Sequence, residues 1–154
     1  NSQQPIELDE IVKSTRLLLS PELEKSGVTI EYQLEGQGRQ VMVNKVQIEQ
    51  VLVNLIRNSI EALRDSNRDD GKLVLASRLL EDGSIETTVS DNGPGIETDM
   101  VDRMFNPFQT SKASGMGMGL SISRSIIETH GGKLWADTQH RQGAFLGFSL
   151  PVCD

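Results

Sequence analysis

Cysteine is almost absent from this chain of 154 residues, since the single one, Cys153, stands one residue from the end. A disulfide within the chain and a cysteine-based metal cluster are therefore excluded, which fits a reducing compartment. Aromatic residues make up only 4% of the chain, so aliphatic side chains must fill the core. No apolar run approaches membrane-spanning length, and the N-terminus lacks a signal-peptide pattern.

Basic residues are outnumbered, with 15 Lys and Arg against 22 Asp and Glu and a net charge of -7. An acidic surface repels nucleic acid and anionic membranes, so we expect neither nucleic-acid binding nor direct membrane contact. The length suits one domain over residues 1–154. Because the chain opens on "NSQQPIE" without an initiator Met, we interpret it as a fragment of a longer protein.

Helical and strand patterns alternate along the chain. Apolar residues recur at helical spacing over residues 6–19, 44–64 and 118–130. Asn44 and Gln47 form a capping pair at the start of the second segment. The strand patterns cover 27–36, 40–43, 72–80, 84–91, 133–138 and 143–152, with hairpins predicted within the last two pairs. This order predicts an α/β two-layer sandwich, in which helices lie on one face of a mixed sheet.

Three glycines at alternate positions, Gly115, Gly117 and Gly119, stand directly before the last predicted helix. Such a backbone can approach a ligand closely, and the helix start offers free N–H groups, so a phosphate site is one interpretation. A hinge with a helix cap is an equally good one. The chain has no G-x-x-x-x-G-K-[ST] loop, and a dinucleotide fingerprint is set aside because no strand precedes the glycines.

Asn54 and Asn58 are spaced i, i+4 and lie on one face of the predicted helix. Two neighbouring amides offer oxygen ligands to Mg²⁺, although two solvent-facing Asn residues are the better interpretation of this pair alone. In "DNGPGI", the carboxylate of Asp91 suits an amino group such as adenine N6, but a simple turn is favoured for this motif alone. In "FNPFQTSK", Lys112 either reaches a terminal phosphate or is solvated.

The order of these motifs is more specific than any one of them. Asn-x₃-Asn, D-x-G-x-G, F-x-x-F and G-x-G-x-G-L resemble the N, G1, F and G2 boxes of sensor histidine kinases of two-component systems, over residues 6 to 151. "PFQTSK" and "GMGMGLSISRSIIETHGG" are most similar to nitrogen-fixation oxygen sensors and aromatic-compound sensors. The resemblance implies the Bergerat ATP-binding fold, with a mostly antiparallel sheet.

The resemblance also implies ATP and Mg²⁺ as cofactors and a role for each motif. Asn58 should coordinate Mg²⁺, with Asn54 beside it or as a second ligand, and Lys112 completes the implied catalytic set. Residues 92–116 should form a lid over ATP. The implied contacts to adenine are Asp91, Gly93, Gly95 and Ile96, and those to the phosphates are Lys112, Gly115, Gly117, Met118, Gly119 and Leu120.

Asn54 bears on the class of reaction. Hydrolytic relatives usually carry a water-activating Glu at this position, and an amide cannot act as a general base at neutral pH. We therefore expect phosphoryl transfer to a histidine on a dimerisation helix pair, and then to the receiver domain of a response regulator. A hydrolytic ATPase or clamp of the same fold, and a docking module without a nucleotide site, are the alternatives.

We expect the phosphoacceptor and its helices to lie outside this chain. His130 is expected as a cation at a helix end, and His140 lies in a polar loop; neither stands in a phosphoacceptor pattern. We expect an isolated, monomeric catalytic domain of a bacterial cytoplasm, free or within a membrane-bound sensor. Family members often carry a basic residue where this chain has Glu61, so Arg57 or Lys112 is expected to supply that charge.

Overall fold

The computed structural model describes residues 2–65, 70–93, 116–137 and 145–153. In chain order, the elements of these segments are β1 (Gln4–Glu7), α1 (Leu8–Leu18), α2 (Ser20–Ser26), β2 (Thr29–Glu35), β3 (Gln40–Val43), α3 (Lys45–Asp65), β4 (Lys72–Leu79), β5 (Ser84–Asp91), α4 (Met116–Thr129), β6 (Lys133–Asp137) and β7 (Phe145–Pro151).

Five strands form the main sheet, in the order β2-β4-β5-β7-β6. β2 and β4 are parallel, and the other neighbours are antiparallel, as the two predicted hairpins require. A second sheet pairs β1 with β3, and a bridge between Val41 and Val152 joins β3 to the end of the chain. The predicted mixed, mostly antiparallel sheet is confirmed.

The core lies between this sheet and the helices. Alternate residues of the central strands are buried, as period-two patterning requires: Leu73, Leu75, Ile85, Val89, Leu146 and Phe148. Helix α3 meets them with a wide buried face: Ile48, Val51, Leu52, Leu55, Ile56, Ile60 and Leu63. Among the buried apolar residues of the described segments, only Phe148 is aromatic. The predictions of an aliphatic core and a two-layer α/β sandwich are both confirmed.

Two short elements were not predicted, because neither carries a periodic apolar pattern. β1 contains Pro5 and is placed by pairing, with Ile6 opposite Val41. α2 has seven residues and buries only Leu23; a proline in its first turn and Gly27, at φ +73°, mark its ends.

Local signals fix the ends of the two long helices. The Gln47 N–H donates to Asn44 Oδ1 over 3.1 Å, which confirms the predicted cap of α3. After α4 the chain turns at Gly131, at φ +83°, and a Cβ at Gly132 would overlap the carbonyl oxygen of Ser149. None of the described helices is long and apolar enough to cross a membrane.

Candidate functional site

The two amides of α3 lie one turn apart on the helix, and the first of them contacts α4. Asn54 Nδ2 donates to Ser123 Oγ over 3.1 Å, and Ser123 is fully buried. This bond holds the Asn54 amide with its nitrogen toward α4 and turns its carbonyl oxygen away from Ser123.

Asn58 carries an unpaired donor. Its side chain is partly exposed, but its Nδ2 is buried and has no hydrogen-bond partner among the described residues. A buried donor without an acceptor costs about 1–3 kcal/mol. Asn58 therefore marks a place where a ligand oxygen, such as that of a phosphate, would improve the local hydrogen bonding.

Asp91 is a nearly buried carboxylate at the end of β5, opposite Leu73 and 5% exposed. Its Oδ1 accepts the N–H of Gly93 over 2.8 Å. A Cβ on Gly93 would lie 3.1 Å from this oxygen and 3.3 Å from Leu63 Cδ2. Glycine thus lets the chain lie close over the carboxylate and the last turn of α3.

Asn92 fixes the strand end that carries Asp91. Its Oδ1 accepts the Lys72 N–H over 2.9 Å, and its Nδ2 donates to the Asp70 carbonyl over 2.9 Å. The end of β5 is thereby fastened to the start of β4. Sequence reasoning assigned no role to Asn92, although an Asn directly after a strand is a common source of such side chain-to-backbone bonds.

The start of α4 completes the described part of the site. The helix begins at Met116, two residues before the predicted start, so its first turn holds Gly117, Met118 and Gly119. The N–H groups of a first turn have no partner within the helix. Leu120 is buried, 2% exposed. The predicted lid residues Gly95, Ile96, Lys112 and Gly115 lie outside the described residues.

Helix α3 connects these pieces, because it contacts α4 at one point and the end of β5 at another. Asn54 meets Ser123, and the end of Leu63 lies against the backbone at Gly93. At 1.5 Å per residue, Asn54 and Leu63 are about 13 Å apart along the helix axis. The amides, the middle of α4 and the Asp91 carboxylate therefore lie along one stretch of α3.

Comparison with known proteins identifies the family of this chain. The family described as histidine kinase-, DNA gyrase B- and HSP90-like ATPases matches residues 43–154. The chain belongs to this family. It is 44% identical to the sensor protein FixL of Bradyrhizobium diazoefficiens over 130 residues, which are 84% of this chain and 25% of FixL. It is 36% identical to the sensor protein TdiS of Thauera aromatica over 149 residues, 96% of this chain and 27% of TdiS.

Solved structures give the same result for the fold. The nucleotide-free catalytic domain of the histidine kinase ThkA superposes with a TM-score of 0.86 at 29% identity, covering 99% of this chain and 97% of that one. ThkA in complex with the response regulator protein TrrA superposes with a TM-score of 0.80 at 27% identity, covering 98% of this chain and 42% of that one. This ATPase-family chain thus corresponds to a histidine kinase catalytic domain, and it spans about a quarter of the length of FixL and TdiS.

Arg57 directly precedes Asn58 on α3, but its side chain pairs with Glu22 of α2. Its Nη2 and Nε donate to the Glu22 carboxylate of α2, at 2.6 Å to Oε1 and 3.0 Å to Oε2. These bonds raise the pKa of Arg57 and lower the pKa of Glu22. Arg57 therefore directs its charge toward α2, and the expectation that it serves the site in place of Glu61 gains no support.

His130, expected as a cation at a helix end, is buried there, 8% exposed. Its Nε2 accepts the Asn44 N–H over 3.2 Å, and its Nδ1 lies 2.7 Å from the Ile126 carbonyl oxygen. The ring joins the end of α4 to the start of α3.

Proposed function

We propose that this chain binds ATP·Mg²⁺ and transfers the γ-phosphoryl group to a histidine on a dimerisation helix pair, for onward transfer to the receiver domain of a response regulator. The observation that carries the proposal is the amide of Asn54, held by Ser123 of α4. Neither group can activate water as a base, so the site favours transfer over hydrolysis.

The described residues fit ATP at both ends. The buried Asp91 carboxylate is an acceptor suited to the adenine amino group, and Gly93 leaves room for a flat base close to the backbone. At the other end, the first turn of α4 offers backbone N–H groups, and the buried Nδ2 of Asn58 has no acceptor within the described segments. A nucleotide bound along α3 would contact Asp91 with its base and the first turn of α4 with its phosphates.

Mg²⁺ fits the same end of the site. The amide oxygens of Asn58 and Asn54 are hard, neutral ligands, and Mg²⁺ binds through few protein groups while it keeps waters and phosphate oxygens. When bound, it neutralises phosphate charge. Lys112, Gly95, Ile96 and Gly115 are proposed contacts from the lid.

The proposed partners follow from the relatives. ThkA has been solved with a response regulator protein, which supports such a partner here. We further propose action in a bacterial cytoplasm, on its own or within a membrane-bound sensor, because a single cysteine fits a reducing compartment. The net charge of -7 supports the absence of nucleic-acid binding.

Calorimetric titration with ATP tests the proposal directly. We expect micromolar binding of ATP, and the affinity should increase when Mg²⁺ replaces EDTA. The comparison ligands are ADP, which lacks the terminal phosphate, and adenosine, which lacks all three phosphates. No ATP binding in either condition would contradict the proposal and favour a docking module.

A phosphate-release assay separates transfer from hydrolysis. We expect slow release by this chain alone, together with labelling of a separately supplied dimerisation helix pair by γ-³²P-ATP. Rapid phosphate release without any acceptor would favour the hydrolytic ATPase instead.

A further inference from the structure

Ser123 occupies a position of α4 where an aliphatic residue is the usual choice. It lies between Leu120 and Ile127 on the buried face of the helix, at i+3 and i-4 from them, and it is fully buried. Burying a hydroxyl costs free energy unless the group is hydrogen-bonded. Packing alone therefore gives no reason for a serine at this point.

The hydrogen-bond partner supplies that reason. Ser123 Oγ accepts the Asn54 Nδ2–H over 3.1 Å, across the interface between α3 and α4. The bond holds the nitrogen end of the Asn54 amide, so it contributes to the plane of the amide and to the direction of its carbonyl oxygen. Loss of this bond weakens the preference for that orientation over the flipped one, in which the NH₂ group repels a cation.

We infer that Ser123 is a positioning residue, which holds the Asn54 amide so that its oxygen is presented to Mg²⁺ in the ATP complex. The inference rests on the proposed function, and it adds a residue outside the four motifs. Ser123 acts through Asn54 and touches neither nucleotide nor metal. It also couples the metal-binding helix to α4, whose first turn faces the phosphates.

The quantity that tests this is the Mg²⁺ enhancement, defined as the Kd for ATP in EDTA divided by the Kd with Mg²⁺. In Ser123→Ala we expect the enhancement to fall by roughly fivefold, the size of one lost hydrogen bond. The Kd in EDTA should stay within about twofold of the wild-type value, since the base and backbone contacts are unchanged. Ser125→Ala is the matched control, an exposed serine of the same helix, and should leave both values unchanged.

A double-mutant cycle shows whether Ser123 acts through Asn54. In an Asn54→Ala background there is no amide for Ser123 to orient, so Ser123→Ala should cause no further loss of the enhancement. If the serine were purely structural, Ser123→Ala would lower the melting temperature equally in both backgrounds and leave the enhancement of each background unchanged. That result, or equal losses of the enhancement in both backgrounds, would overturn the inference.

The wild-type titration separates this inference from the proposal beneath it. Wild-type chain that binds no ATP overturns the proposed function, and the inference with it. Wild-type chain with a clear enhancement that Ser123→Ala leaves intact overturns the inference alone.

Discussion

Asp91 illustrates how a single residue is prepared for a ligand by its own turn. One carboxylate oxygen accepts the Gly93 N–H, and Asn92 fastens the strand end beside it. The turn interpretation of "DNGPGI" and the ligand interpretation are therefore compatible, because the same hydrogen bonds that shape the turn orient the carboxylate.

Asp91→Asn should weaken ATP binding at least tenfold while leaving the fold intact. Asparagine can keep an oxygen for the Gly93 N–H, but its NH₂ group would then oppose the adenine amino group, placing donor against donor. Calorimetry gives the affinity, and urea unfolding should show a free energy of unfolding within about 1 kcal/mol of the wild-type value.

Asp82→Asn is the matched control for this substitution. Asp82 lies in the β4–β5 turn, where its Oδ1 accepts the Ser84 N–H, and its replacement should leave ATP affinity unchanged. If Asp91→Asn bound ATP as the wild-type chain does, the assignment of Asp91 to adenine would be wrong.

Candidate site residues could be proposed from the sequence where they stand in a motif, whereas tertiary contacts between helices could not be predicted. Asn54, Asn58 and Asp91 stand in motifs whose residue types and spacing indicate metal or nucleotide binding. Ser123 and His130 gain their roles only when α4 packs against α3, and no local pattern encodes that contact. The one available signal for Ser123 was a polar residue within an apolar stripe.

At the scale of elements, α3 organises the site because both of its ends are tied to other parts of the chain. Its first turn is capped by Asn44, whose own N–H donates to His130 of α4, and its last turns meet the backbone at Gly93. The long helices and hairpins could be predicted because their apolar periods are long and regular. β1 and α2 could not, since pairing and capping define them.

His130→Phe should destabilise the fold by about 2 kcal/mol. The substitution retains an aromatic ring but leaves the Asn44 N–H without its acceptor, while the Ile126 carbonyl keeps only the backbone N–H of residue 130. Urea unfolding measures the loss. Thr129→Ala is the neighbouring control, since its exposed hydroxyl bonds only to the Ser125 carbonyl and its loss should cost about 0.5 kcal/mol or less. A loss for His130→Phe no larger than that of Thr129→Ala would contradict the role of the ring as a tie between the helices.

At the scale of the whole molecule, the sheet class followed from the order of the elements, but the strand order did not. Parallel pairing of β2 with β4 requires the chain to cross over through β3 and α3. The small β1–β3 sheet pairs residues that precede β2 with residues inside that crossover. Such long-range pairings are determined by burial of the whole core, which cannot be predicted from any short segment of the sequence.

One candidate surface for self-association lies at the end of α1, where two exposed leucines are adjacent. Leu17 and Leu18 are 69% and 60% exposed, beside a groove of about 400 Å³ between α1 and β2. Lys13 and Arg16 line the same groove. In a two-fold dimer through this surface, the same patch of each copy would meet, so like charges would be brought together.

We therefore expect the chain to be a monomer of 17.0 kDa at all accessible concentrations. Each copy also carries a net charge of -7, which adds general repulsion at low ionic strength. Sedimentation equilibrium at low and moderate salt measures the mass directly. A mass that rises with concentration would contradict the prediction. Reversal of that rise by Leu17→Ser, but not by Met42→Ser at another exposed apolar position, would locate the contact on α1.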